Sequence, residues 1–100
     1  MPYRLVKISD IKHPMQNLQI TGKIEGMKPV PSGFRRHHIA YLCDDTGIIL
    51  LNLWRNQTEQ VEDGDTIYLL GAFTKKEKQG VTLSTWEEKI HKEKPKIFGK

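Results

Sequence analysis

Apolar residues recur at every second position through most of this chain, a period that suits strands with one buried face and does not suit helices. Leu18, Ile20 and Ile24 fall on alternate positions between Asn17 and Lys28, and Ala40 and Leu42 do so within 37–43. Ile49, Leu51 and Leu53 alternate within 47–54, and Ile67 and Leu69 within 65–70. A fifth run, 81–86, is rich in Val, Thr and Trp. Five short segments of this kind, separated by turn residues, predict an all-β domain.

The punctuation agrees with that division. Pro29, Pro31, Ser32 and Gly33 close the first strand and open a loop, because proline cannot donate into a ladder. Asp44-Asp45-Thr46-Gly47 reads as a tight turn joining the second strand to the third. Asp63-Gly64-Asp65 and Gln79-Gly80 supply the later turns. Between Trp54 and Asp63 the pattern allows one short helix, with Asn56 as its N-cap and Glu59 reaching back to it. Three strands, a short helix and two more strands is the order of a five-stranded Greek-key OB-fold barrel, in which closure removes exposed edges.

Length and composition add bounds. One hundred residues support one domain, read as an OB-fold unit over 1–86 followed by a charged tail over 87–100. Pro95 breaks any helix in that tail, and Ile97-Phe98 is its apolar pair. The tail is either a frayed terminus or a basic, partner-docking arm. Cys43 is the sole cysteine, so neither an internal disulfide nor a multi-cysteine zinc site can form. The longest apolar run, Ile48-Ile49-Leu50-Leu51, falls far short of the roughly 20 residues that span a bilayer. The chain therefore reads as intracellular: cytoplasmic or nucleoid-associated in a prokaryote, nuclear in a eukaryote.

Charge placement says more than the net +4. Residues 44–65 hold Asp44, Asp45, Glu59, Glu62, Asp63 and Asp65 against Arg55 alone, which leaves fifteen of the sixteen Lys and Arg elsewhere. Much of the excess lies in two predicted loops: Lys28, Arg35 and Arg36 in one, Lys75, Lys76 and Lys78 in the other. In OB barrels an oligonucleotide crosses the second and third strands between these two loops, where cations can hold phosphates.

Four strings carry a family resemblance. Ile8-Ser9-Asp10-Ile11-Lys12 with Met15-Gln16-Asn17-Leu18 looks like the opening "DIKPGMKNL" of simple archaeal and eukaryotic single-stranded DNA-binding proteins. Asp45-Thr46-Gly47 with Leu51-Asn52-Leu53-Trp54 resembles their third-strand segment. Glu62-Asp63-Gly64-Asp65 with Ile67 and Leu69 resembles their junction into the fourth strand, and Lys78-Gln79-Gly80-Val81-Thr82-Leu83 their last hairpin. The match runs from about Val6 to Trp86, in order. It implies a replication protein A-like barrel whose aromatic side chains stack on bases, and it places Trp54 and Phe73 in that role. The chain departs from the pattern where the family's other aromatics fall on Glu77 or Lys78 and on Ser84.

Single residues refine the expectation. If Ile49, Leu51 and Leu53 face inward, then Trp54 faces outward with Ile48, Leu50 and Asn52. Tyr41 shares the outer parity of the second strand with Ile39 and Cys43. Phe34, beside Arg35 and Arg36, and Trp86 are further stacking candidates, since an aromatic between guanidinium groups suits a nucleotide. His37 and His38 are adjacent and point to opposite faces, so they do not share a metal, and no cofactor is expected. No nucleophile elbow, phosphate-cradling glycine loop or paired carboxylates appear, so no enzymatic activity is expected. The sequence thus predicts binding of single-stranded DNA, with RNA as a second ligand, without marked sequence preference and in DNA replication or repair. The rival reading is an OB-fold protein-interaction subunit of a larger single-stranded DNA- or telomere-binding complex, using the outward Ile48 and Leu50 or the tail.

Overall fold

The computed structural model describes residues 3–30, 37–78, 80–85 and 90–92. Among these residues seven strands form: β1 Arg4–Leu5, β2 Leu18–Pro29, β3 His37–Asp44, β4 Gly47–Trp54, β5 Thr66–Glu77, β6 Gly80–Ser84 and β7 Ile90–Lys92. Five of them close a ring in the order β2, β3, β4, β6, β5 and back to β2. The pairings are antiparallel except β4 with β6, which is parallel and shuts the barrel. This is the predicted OB-fold barrel.

The alternation forecast the core. Leu18, Ile20, Ile24, Ala40, Leu42, Leu51, Leu53, Ile67 and Leu69 have no exposed surface, and Ile49 is buried with them. Gly22 fills the remaining slot between Ile20 and Ile24. A Cβ there would stand 2.7 Å from Leu42 Cγ and 2.9 Å from the Cys43 carbonyl oxygen, so the strands cross there too closely for any side chain.

The predicted helix is corrected. Arg55–Glu59 is a single five-residue 3-10 turn, and the residue that caps its start is Trp54 rather than Asn56. Isolated helices this short do not repay their nucleation cost. Gln57, fully buried, turns its side chain inward instead of lying on a helix surface, and Val61 must reach the core a few residues later.

Two short strands lie outside the predicted set. β1 runs parallel to the start of β2. Within the charged segment, β7 pairs with β5 through Leu69 and Ile90, Tyr68 and His91, and Ile67 and Lys92. Since β2 occupies one edge of this part of β5, β7 lies on the other, in line with β6. Ile90 is buried there, the His91 ring stacks on Tyr68 at 4.9 Å, and Lys92 Nζ lies 3.3 Å from Asp65.

At the β3–β4 turn Asp44 gathers four donors. Its Oδ1 accepts from the Thr46 N–H and hydroxyl, both at 2.6 Å, and from the Gly47 N–H at 3.0 Å. Its Oδ2 accepts from the Ile8 N–H at 2.9 Å, which ties the N-terminal segment to the turn. Burial pushes the Asp44 carboxyl up, but these bonds to Thr46, Ile8 and Gly47 outweigh it and hold the group below the ordinary carboxylate range. Among the described residues no helix is long and apolar enough to cross a membrane.

Candidate nucleic-acid interface

The outer face of the barrel can be laid out from the strand register, because directly opposed residues share a side of the sheet. On β4 the outward residues are Ile48, Leu50, Asn52 and Trp54. Across β3, Leu50 opposes Tyr41, Asn52 opposes Ile39 and Trp54 opposes His37. Across the parallel closure, Leu50 aligns with Thr82 of β6, which in turn opposes Lys75 of β5. Ser84 opposes Phe73.

Asn52 joins these rows. It is buried on the outward side, and its Nδ2 donates to the hydroxyls of Thr82 at 3.3 Å and Ser84 at 3.2 Å. Buried polar groups need partners, and here one amide on β4 bonds two hydroxyls of the neighbouring β6. The position of the family's strand-five aromatic is thus taken by a serine inside a hydrogen-bonded floor.

Two bulges decide which side chains reach this face. Counted by twos from the buried Ile24, Lys28 would point inward. Gly26, at φ +64°, opens a register shift between Glu25 and Lys28. Lys28 then opposes the outward Ile39, and Met27 packs on the core instead. The same happens on β5, where alternation from Leu69 would carry Phe73 inward. Gly71, at φ +77°, accompanies the shift between the Leu18–Ala72 and Gln19–Leu70 pairs. Ala72 is consequently buried, and Phe73 turns out to the side of Ser84. Glycine tolerates the left-handed backbone such bulges require.

The candidate residues are therefore placed as follows. Trp54 and Phe73 are half-buried and Tyr41 is exposed on the outer face, with Lys28 and Lys75 exposed on the same face. Phe73 also borders a groove of about 450 Å³ walled by Met15, Gln16 and Asn17. Lys76 opposes Val81, which packs on the core, so it lies on the other parity from Lys75. Lys78 is exposed in the β5–β6 turn. Phe34, Arg35, Arg36 and Trp86 lie outside the described residues. Among the described residues no ion pair engages Lys28, Lys75, Lys76 or Lys78, and no group of three residues could hold a metal.

Sequence reasoning missed Gln57. Its Oε1 accepts the Trp54 N–H at 2.8 Å and its Nε2 donates to the Thr85 carbonyl at 3.1 Å. The one available signal was a glutamine in a segment otherwise read as a short helix. Cys43 sits at the edge of the face, and burial, reinforced by Glu25 and Asp44, raises its thiol above the ordinary range.

No family model and no curated protein matches the chain by sequence. Solved structures match it in fold. The second OB-fold domain of replication protein A from Methanococcus maripaludis superposes with a TM-score of 0.72 at 21% identity, covering 94% of this chain and 99% of that one. An OB domain from Methanosarcina mazei gives a TM-score of 0.74 at 20% identity, covering 97% of this chain and 90% of that one. A further OB domain, from Thermoplasma acidophilum, gives 0.72 at 22% identity over 93% of this chain and 90% of that one.

Proposed function

We propose that this protein binds single-stranded nucleic acid, DNA before RNA, across β3 and β4, and serves as a binding module rather than an enzyme. One observation carries the reading: two bulges turn Lys28 and Phe73 onto the face that already holds Trp54 and Lys75. A backbone of phosphates needs cations, and bases need aromatic surfaces that accept any base identity. Bases would stack on Trp54 and Phe73, while Lys28, Lys75 and Lys78 hold phosphates. Such a module would act on exposed strands during replication or repair. The replication protein A domain that shares the fold supports this choice of ligand.

Titration with oligo-dT tests it. Indole fluorescence should fall as the strand binds, and Trp54→Ala should weaken binding by about 1–3 kcal/mol, the range for one stacked base. If Trp54→Ala binds normally but unfolds far more readily, Trp54 is a packing residue and the stacking role fails.

A further inference from the structure

We infer that the end of the face around Tyr41 and Ile48 is a second site, which takes a segment of a partner protein presenting an aliphatic or aromatic side chain beside a lysine or arginine. Ile48 is 66% exposed and Tyr41 is 46% exposed, large values for apolar side chains on a small barrel. They form a ridge, since Ile48 precedes by two the residue that opposes Tyr41. On one side of the ridge a groove of about 460 Å³ is floored by Ile8, Ile11, Leu50 and Val81. On the other a smaller groove of about 280 Å³ is lined by Glu25, Gly26 and Cys43.

The chemistry of this end differs from that of the proposed nucleic-acid end. Leu50, opposite Tyr41, is four residues from Trp54, about 13 Å along β4 at 3.3 Å per residue. Among the described residues no lysine or arginine lines either groove. Among the described residues the charged lining residue is Glu25, with Lys23 Nζ at the outer limit of an ion pair, 4.0 Å away, while Asp45, in the turn before Ile48, pairs with Lys7 at 2.8 Å. Lys75, opposite Thr82, stands at the far rim of the larger groove. A phosphate laid over the ridge would face a carboxylate and gain no counter-charge from the groove walls. An apolar side chain would be desolvated by both grooves, and a cation beside it would meet Glu25. Apolar and aromatic anchors with charge confined to the rim are how protein interfaces are built.

The inference is independent of the proposed nucleic-acid function. The probe is a phage-displayed random peptide library, panned against the full chain and counter-selected against Ile48→Asp. Enriched peptides should pair an aliphatic or aromatic residue with Lys or Arg. They should bind Ile48→Asp and Tyr41→Ser about ten-fold more weakly or worse, as loss of an anchor predicts, and bind Trp54→Ala as they bind the parent. Ile48→Ser, which adds no charge, should behave likewise, and melting curves confirm that each variant is folded. Oligo-dT should bind Ile48→Asp as it binds the parent. The inference is overturned if no peptide distinguishes the parent from Ile48→Asp, or if the enriched peptides are acidic or depend on Trp54. Loss of oligo-dT binding in Ile48→Asp as large as in Trp54→Ala would assign the ridge to nucleic acid and overturn it as well. So would a dimer in light scattering that Ile48→Asp dissolves, which would give the face to a second copy of the chain. Failure of oligo-dT to bind at all defeats only the proposed function, because the peptide result does not depend on it.

Discussion

Gln57 holds Trp54 from beneath the barrel face: its side-chain oxygen accepts the Trp54 N–H at 2.8 Å while its amide nitrogen donates to Thr85 at 3.1 Å. The end of β4 and the chain leaving β6 are thereby tied through one fully buried side chain. Gln57→Leu keeps the volume but strands a buried donor and a buried acceptor, and should cost about 1–3 kcal/mol in denaturant unfolding. Gln57→Glu gives a sharper test. Its carboxylate opposes the Thr85 carbonyl and favours protonation, so its folded pKa lies above the unfolded one. Its stability should therefore be greatest below the unfolded carboxylate pKa and decline as pH rises through the folded value. A variant as stable at neutral pH as in mild acid would show that the amide does not bridge the two strands.

The four hydrogen bonds on Asp44 carry a pH dependence of the opposite sign. Its folded pKa is depressed, so its contribution is present above the unfolded value of about 3.9 and fades as pH falls through the lower folded value. Acid unfolding followed by circular dichroism should be shallower in Asp44→Asn than in the parent over that window. Equal slopes would mean that the Ile8 and Thr46 donors are satisfied another way.

Gly22 should not tolerate alanine. The added Cβ meets both the Leu42 side chain and the Cys43 carbonyl oxygen within 3 Å, and backbone cannot swing aside as a side chain tip can. Overpacking of this kind costs about 1–3 kcal/mol, measurable as a lowered midpoint in urea. An unchanged midpoint would mean that β2 and β3 cross more loosely than described.

Lys75 and Lys76 are neighbours in sequence on opposite parities of β5. Lys75→Glu should weaken oligo-dT binding and reduce its salt slope by about 0.7 per lost phosphate contact. Lys76→Glu should do so distinctly less. Equal effects would show that loop charge acts only through the general field and not through the face.

Much of this protein follows from alternation alone. Ile20, Ile24, Leu42, Leu51, Leu53, Ile67 and Leu69 are buried because strand geometry alternates faces and each position is apolar; the barrel order follows from where turn residues interrupt them. Trp54 and Tyr41 face outward for the same local reason. Lys28 and Phe73 do not obey that count. Their orientation depends on bulges at Gly26 and Gly71, and a bulge exists only in the pairing of two strands distant in sequence. The inward turn of Gln57 likewise depends on Thr85, twenty-eight residues away. Residue type and spacing carry the period of a strand, but a shift in that period is a property of the partner strand, and only the folded barrel supplies it.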